Sequence, residues 1–177
     1  GIPLWSIAHV NSHFSIPTND YLTPEKALAL ENYSLMPGDI VMTRKATVGN
    51  CTVYPATLPK GIMHSDLLRI RLDTARCLPD FLASALALSQ EVKAQIDMVT
   101  SGATTQGINV TRLKNISIHV PPLALQCDFA ARVAEARALQ DQQAQSRSRL
   151  EAGFQAVYLR SGVCGVVDLT RITATFP

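Results

Sequence analysis

The sequence lacks the features that mark several common protein classes. Charged residues make up only 17% of the 177 residues and aromatic residues only 6%, while 47% are apolar. The formal net charge is +2, which is too small to mark a nucleic-acid-binding protein by bulk electrostatics. This composition excludes a disordered chain and predicts one globular domain, with or without an extended element.

Clustered cysteines and long apolar runs are also missing. The four cysteines, Cys51, Cys77, Cys127 and Cys164, are far apart, which excludes a C-x-x-C zinc pair and a dense disulfide framework. No apolar run approaches the roughly 20 residues of a membrane-spanning helix, and the first residues do not have the pattern of a secretion signal. We therefore expect a cytoplasmic protein without membrane association. The start at Gly1 suggests a fragment, a processed chain or the remnant of a tag.

Short strands separated by turn residues are expected in the first half of the chain. Alternating apolar residues predict strands at residues 2–10, 40–43, 51–54 and 66–71. The last strand places Arg69 and Arg71 on the solvated face of a half-buried sheet. Thr23 as an N-cap, followed by Pro24 at the first helical position, predicts a short helix that ends near Glu31.

From Pro79 the apolar spacing becomes helical. It predicts one helix from Pro79 and a second from Ser89, and both should cover a face of the sheet. A polar, glycine-containing loop is predicted at residues 100–109, followed by an alternating strand at residues 116–120. Together these elements predict an α+β fold in which short helices flank a small mixed sheet.

A long helix is predicted from residue 122 to residue 160, because residues 123–160 contain one glycine and no proline and are rich in strong helix formers. A heptad seam along this helix is apolar at both ends and polar in the middle, and requires a partner helix. Its apolar positions are Phe129, Val133, Ala136, Leu150, Phe154 and Val157. A helix of about 55 Å must project from the domain at residues 1–121 or lie against another domain. Residues 161–177 are either an added strand or a poorly ordered end.

No catalytic constellation is evident. Cys51, His64 and Asp66 offer a nucleophile, a base and an orienting acid, but Cys51 begins an apolar strand and is more simply a small core residue. His9 and His13 have a metal-ligating spacing only on a helix, whereas their segment is predicted as strand and loop. Phosphate-binding P-loop and dinucleotide-binding motifs are absent. We predict no catalytic residue, no metal and no cofactor.

Polar loops are the candidate binding elements. The segment between Asp39 and Asp66 contains three cationic residues and no carboxylate. Arginine and lysine contact phosphates and guanine, and asparagine and glutamine contact adenine. The candidate DNA-binding residues are Arg44, Lys45 and Thr47 in a hairpin, Lys60, His64 and Ser65 in the next connection, and Thr104, Thr105, Gln106 and Asn109 in the glycine-containing loop. The alternative is that these are ordinary solvated loops.

The order of these segments resembles one half of the DNA-specificity subunit of type I restriction-modification systems. The resemblance covers about residues 1–160 and is carried by GIPLWSIAHVN, PGDIVMTRKATVGN, GIMHSDLLRIRL and, most specifically, TSGATTQGINVTRLKNISIHVPPLALQ. It implies that residues 1–121 are a target-recognition domain that reads one half of a bipartite site in double-stranded DNA. It also implies that residues 122–160 are the conserved spacer helix. The chain would be non-catalytic and would recruit a methyltransferase (modification) subunit and a restriction and translocase subunit.

Two alternatives are open at the level of sequence. A chain with one recognition domain is either a half-subunit, which can form a homodimer through the long helix, or a fragment of a two-domain chain. Recognition domains of this family begin upstream of GIPLWSIAHVN with another strand, which is a departure here. The second candidate function is an assembly or adaptor protein whose helix docks a partner without DNA binding.

Overall fold

The computed structural model describes residues 1–100 and 107–160. The chain consists of two compact units, residues 1–132 and residues 133–177. The tail at residues 161–177 lies outside the described residues. In chain order the elements are β1 (Ile2–Trp5), α1 (Ile7–Asn11), β2 (Tyr21–Leu22), α2 (Pro24–Ala29), a 3-10 turn (Glu31–Tyr33), β3 (Ser34–Leu35), β4 (Ile40–Thr43), β5 (Cys51–Val53), β6 (Gly61–Met63), β7 (Leu67–Ile70), α3 (Pro79–Leu88), α4 (Gln90–Thr100), α5 (Val110–Leu113) and α6 (Leu123–Arg160).

Two small sheets form the centre of the first unit. One has the strand order β2-β1-β6-β3, in which β1 and β6 run parallel and the other two pairs are antiparallel. The second has the order β5-β4-β7 and is antiparallel throughout. The predicted α+β class, with a small mixed sheet, short flanking helices and a long final helix, is confirmed.

Strand β4 is buried on both faces. Ile40 and Met42 belong to a cluster that includes Val92 and Ile96 of α4, whereas Val41 belongs to a second cluster. Side chains alternate along a strand, so neighbouring residues of β4 enter different clusters. The prediction of a half-buried sheet is therefore wrong for this strand, because α3 and α4 cover one face, and α1 together with residues of the first sheet covers the other.

The two arginines of the predicted strand, Arg69 in β7 and Arg71 directly after it, have fixed partners. Arg69 donates a hydrogen bond to the carbonyl of Ser34. Arg71 donates from Nε and Nη2 to the two carboxylate oxygens of Asp39, each at 2.7 Å. The side chain of Asp39 is only 3% exposed, and a buried carboxylate requires such partners to offset its desolvation. Arg71 keeps the exposure predicted for it, but both arginines hold strands together.

The predicted first strand divides into β1 and α1, which is a correction. The main-chain N–H of Ser6 donates to Nδ1 of His9 at 3.1 Å, and the His9 ring packs edge-on against Trp5 with centroids 5.0 Å apart. A side chain three residues downstream that bonds the N-cap favours a helix start. His13 follows α1, and its Nδ1 lies 3.0 Å from the hydroxyl of Thr52. The two histidines therefore have separate protein partners.

The predicted last strand, at residues 116–120, pairs with no strand among the described residues, which is a second correction. Gln95 of α4 replaces the neighbouring strand. Its Nε2 donates to the carbonyl of Ser117 at 3.0 Å, and its Oε1 accepts from the N–H of Ser117 at 2.8 Å. Ile116 and Ile118 pack against the first cluster. The alternation of apolar residues at positions 116–120 thus indicates one buried face. The side-chain amide of Gln95 makes the main-chain hydrogen bonds that a neighbouring strand would otherwise make.

The short helices predicted after Thr23 from its cap and from Ser89 by apolar spacing are confirmed. The hydroxyl of Thr23 accepts from the N–H of Lys26 at 3.4 Å at the start of α2. The hydroxyl of Ser89 accepts from the N–H of Val92 at 3.3 Å at the start of α4. Val92 and Ile96 are buried against the three-stranded sheet, so α4 covers a sheet face as expected.

Helix α6 is continuous, which confirms the predicted long helix. Gln126, fully buried, anchors its first turns within the first unit. Its Oε1 accepts from the N–H of Leu78 at 2.8 Å, and its Nε2 donates to the carbonyls of Pro121 at 2.7 Å and Arg76 at 3.1 Å. Among residues 1–100 and 107–160, no helix has the length and apolar character needed to cross a membrane.

Candidate nucleic-acid interface

Arg44 lies where three polar segments meet. Its main-chain N–H donates to the carbonyl of Asp66 at 3.0 Å, and its own carbonyl accepts from the N–H of Ile108 at 3.0 Å. Its guanidinium donates to the carbonyl of Ser65 at 3.3 Å. The hairpin after β4, the connection between β6 and β7, and the residues before α5 are therefore fixed side by side.

The hairpin loop, residues 44–50, is compact and strained. Ala46 and Gly49 have positive φ angles of 60° and 90°, and the N–H of Gly49 donates to the carbonyl of Thr43 at 3.2 Å. The Thr43 hydroxyl donates to the carbonyl of Thr47. A non-glycine residue in this conformation costs of order 1–3 kcal/mol, and such residues cluster at ligand-contacting sites. The loop is thus held in one shape at some cost in stability.

Asn11, at the end of α1, holds the hairpin loop from outside. Its Oδ1 accepts from the hydroxyl of Thr47 and from Nδ2 of Asn50, each at 3.1 Å. Sequence reasoning missed Asn11 and Asn50, because the segment around Asn11 was predicted as strand and loop. The local signal that could have revealed this role was Ser6 as an N-cap. A short helix that begins after Ser6 ends near Asn11.

The cationic pair in the hairpin has an acidic partner. Nζ of Lys45 lies 2.6 Å from Oδ1 of Asp66, and Nδ1 of His64 lies 3.2 Å from Oδ2 of the same carboxylate. Hydrogen bonding to Lys45, above all, holds the pKa of Asp66 below its usual value of 3.8. Asp66 is therefore ionised at neutral pH. The segment between Asp39 and Asp66 contains no carboxylate, so the sequence analysis did not predict that Asp66 pairs with Lys45 of the hairpin.

These side chains form what we term the hairpin cluster, which consists of Arg44, Lys45, Thr47, His64, Ser65 and Asp66. Lys60 lies at the opposite end of β6 from His64, about 13 Å away for four residues at 3.3 Å each, and pairs with Glu31 at 2.5 Å. Oδ1 of Asn109 accepts from the N–H of Arg112 at 2.9 Å and caps α5. The other three predicted residues, Thr104, Thr105 and Gln106, lie outside the described residues.

A cleft borders the hairpin on the side of α1 and α4. It has a volume of about 410 Å³, and its polar lining consists of Asn11, His13, Asn50, Lys93 and the acidic Asp97, together with apolar residues. Lys93 and Asp97 of α4 add a cationic and an anionic side chain that were not predicted as part of the site. The polar surface around the hairpin thus extends beyond the predicted residues.

Cys51 is a core residue. Its Sγ lies 3.4 Å from the carbonyl of Ala83, and burial raises the pKa of this thiol to about 12. A nucleophilic cysteine needs a depressed pKa, so the geometry does not favour Cys51 and His64 as a nucleophile and base. Within the described ranges, no three His, Cys, Asp or Glu side chains are grouped to hold a metal ion.

The predicted helix-pairing residues have different surroundings. In the first unit, the Phe129 ring packs edge-on against Phe81 with centroids 5.8 Å apart. In the second unit, Leu150, Phe154 and Val157 are 75%, 66% and 70% exposed. A row of exposed apolar side chains on one helix favours burial against another apolar surface. Val133 is half-buried and Ala136 is exposed.

Two solved structures share this fold. The HsdS subunit from Thermoanaerobacter tengcongensis is 20% identical, with a TM-score of 0.50 over 76% of this chain and 36% of that chain. A chain from a study of complex assembly and conformational transition of the type I R-M system is 19% identical, with a TM-score of 0.53 over 77% of this chain and 36% of that chain. The present chain therefore spans about a third of the length of either structure.

The sequence comparisons identify the family. No curated protein matches the sequence. The family model described as the type I restriction modification DNA specificity domain matches residues 2–134, which is most of the chain and includes the whole hairpin cluster. The chain belongs to the family of type I restriction-modification DNA specificity domains.

Proposed function

We propose that the chain is a non-catalytic target-recognition module of a type I restriction-modification complex and reads one half of a bipartite site in double-stranded DNA. The observation that carries this proposal is the meeting of three polar segments at the main chain of Arg44. Side chains that contact phosphates and side chains that hydrogen-bond base edges then lie on one surface, as sequence-specific binding requires.

Different residues of this surface have different proposed roles. Arg44 and Lys45 contact phosphates or guanine, and Thr47 and Asn109 lie within reach of the same groove. The loop with Thr104, Thr105 and Gln106 directly precedes Asn109 in the chain and supplies further base contacts. Lys60, which is paired with Glu31, contributes less than the hairpin cluster.

The long helix is the proposed assembly element. It pairs with a second helix, which belongs either to another recognition domain or to a second copy of this chain. The exposed apolar residues Leu150, Phe154 and Val157 support this. A homodimer would present two hairpin clusters related by a two-fold axis and would read a symmetric bipartite site. The assembled protein recruits the methyltransferase subunit and the restriction and translocase subunit.

Selection from a library of randomised duplexes tests DNA reading by the full chain. Enrichment of one sequence motif supports the proposal and supplies a cognate probe. Replacement of Arg44 and Lys45 by Ala should then weaken binding to this probe by roughly tenfold or more, because a bidentate guanine contact is worth about 1–3 kcal/mol. Lys60→Ala is the matched control and should have a smaller effect. Equal affinities for all three proteins would remove the hairpin from the DNA-binding surface.

Sedimentation tests the helix. Replacement of Leu150 and Phe154 by Glu places charges on the apolar row and should abolish self-association, whereas Ser148→Glu adds a charge outside the predicted seam and should not. A wild-type chain that sediments as a monomer would exclude the homodimer. Self-association without enrichment of any DNA motif would favour the adaptor function instead.

A further inference from the structure

We propose that Asp66 is an internal competitor of DNA phosphate: its carboxylate binds the Lys45 ammonium in the free protein and thereby limits affinity for DNA of arbitrary sequence. This inference rests on the proposed function, because it requires that the hairpin cluster faces DNA. It adds a residue whose role is to oppose binding rather than to provide it.

The geometry of Asp66 resembles that of a bound phosphate. One carboxylate oxygen lies 2.6 Å from Nζ of Lys45, and the other lies 3.2 Å from Nδ1 of His64. Two side chains that would contact a DNA backbone oxygen therefore share one intramolecular anion. Short charge-assisted contacts of this kind are the ones that phosphate oxygens form with lysine.

The carboxylate is also held in position. The carbonyl of Asp66 accepts a hydrogen bond from the N–H of Arg44 at 3.0 Å. The side chain of Asp66 is 24% exposed and that of Lys45 is 53% exposed. Lys45 is thus accessible to DNA, whereas its intramolecular partner is more sheltered and is fixed by the same main chain that shapes the hairpin.

The energetic consequence follows from competition for one cation. Binding to DNA of arbitrary sequence is driven almost entirely by phosphate contacts and counterion release. A phosphate that engages Lys45 must replace Asp66, and the nearby carboxylate also repels it. Removing the charge of Asp66 should therefore strengthen binding about two- to fivefold, the range expected for an ion pair exposed to solvent.

The test compares isosteric variants of two ion pairs. Asp66→Asn neutralises the competitor, whereas Glu31→Gln neutralises the acid of the Lys60–Glu31 pair and changes the net charge equally. Affinity for a duplex of mixed sequence is measured with the full chain over a series of salt concentrations. We expect Asp66→Asn to bind two- to fivefold more tightly, with a log–log salt slope steeper by about 0.9 for the freed phosphate contact. Glu31→Gln should give a smaller gain than Asp66→Asn, because Lys60 contributes less to binding than the hairpin cluster.

Two further measurements separate the explanations. In a Lys45→Ala background, the gain from Asp66→Asn should fall to the small part that comes from lost repulsion, because there is no Lys45 ammonium left to release. The motif selected from randomised duplexes should be the same for Asp66→Asn and the wild type. Thermal unfolding monitors folding, and Asp66→Ser, which also lacks the charge, replaces Asp66→Asn if the latter unfolds.

The outcomes distinguish this inference from the proposed function. A wild-type chain that binds no duplex refutes the proposed function, and the role of Asp66 with it. A wild-type chain that binds DNA, together with an Asp66→Asn variant of unchanged or weaker affinity, refutes only the competitor. An undiminished gain without Lys45 also refutes it. So does an altered motif, because Asp66 would then read a base.

Discussion

Replacement of Gln126 by Leu should destabilise the first unit. The effect should be larger than for a glutamine on a solvent-exposed face of a helix. Gln126 is fully buried, and its side-chain amide makes hydrogen bonds of 2.7–3.1 Å to the main chain of Leu78, Pro121 and Arg76. Leucine has a similar size and a high helix propensity, so the change leaves the helix intact and removes only these three bonds.

The magnitude follows from the groups left without partners. Each buried hydrogen bond contributes about 0.5–1.5 kcal/mol, and an unsatisfied buried donor or acceptor costs about 1–3 kcal/mol. The N–H of Leu78 has a single acceptor in Gln126, and the leucine side chain regains part of the loss through apolar burial. We expect the free energy of unfolding to fall by about 2–4 kcal/mol.

Gln95→Leu is the matched control. Gln95 also makes two hydrogen bonds to a main chain, that of Ser117, but it is only half-buried, so water can replace it and the loss should be about 1 kcal/mol. Urea unfolding followed by the fluorescence of Trp5, the single tryptophan, reports on the first unit. Equal losses for the two variants would refute the claim that Gln126 anchors the helix.

Three further measurements test the core of the first unit. A maleimide should label Cys127, which is exposed, and not Cys51, which is buried and whose pKa is raised to about 12. Comparable labelling of both cysteines in peptide mass spectra would contradict the burial of Cys51. Gly61→Ala should destabilise the first unit by about 1–3 kcal/mol, because an added Cβ meets the Trp5 indole; an unchanged urea midpoint would exclude that packing. Thr23→Ala removes an exposed N-cap and should cost about 0.5–1 kcal/mol in thermal unfolding, and no loss at all would mean that the cap does not form in solution.

Elements with local signals were predictable from the sequence. The helix after Thr23 was predictable because an N-cap acts within one turn, and the helix from Ser89 was predictable from the helical spacing of Val92 and Ile96. The long helix follows from composition alone, since Gly153 is its only strong helix breaker. Strand β4 was predicted at its observed bounds because a turn residue precedes it and a polar loop follows it.

Elements that depend on distant partners were not predictable. Ile116–Val120 has the alternation of a strand, but Gln95 satisfies the main chain of Ser117 and no strand neighbour is needed. The helix at Ile7–Asn11 was missed for a different reason: its start depends on local contacts of His9 with Ser6 and Trp5, which a pattern of apolar residues does not reveal.

The candidate site was predictable as segments and not as an arrangement. The sequence identifies the residue types of the hairpin cluster, since unbalanced cations in a loop are unusual in a chain with few charges. It does not place Asp66 against Lys45 or Asn11 against the hairpin, because these contacts require the folded sheets. The sequence also does not show that Lys60 and His64 lie far apart. They do so because strand β6 extends between them.

The two main-chain hydrogen bonds of Arg44 have a consequence for experiments that transplant the hairpin at residues 44–50 between related domains to test the proposed function. A graft of residues 44–50 alone would arrive without the carbonyl of Asp66 and the N–H of Ile108 that shape its first residue. Retargeting by single substitutions should therefore often disturb neighbouring loops. Exchange of all three segments together keeps their mutual fit, and we expect such composite grafts to transfer DNA preference where hairpin grafts fail.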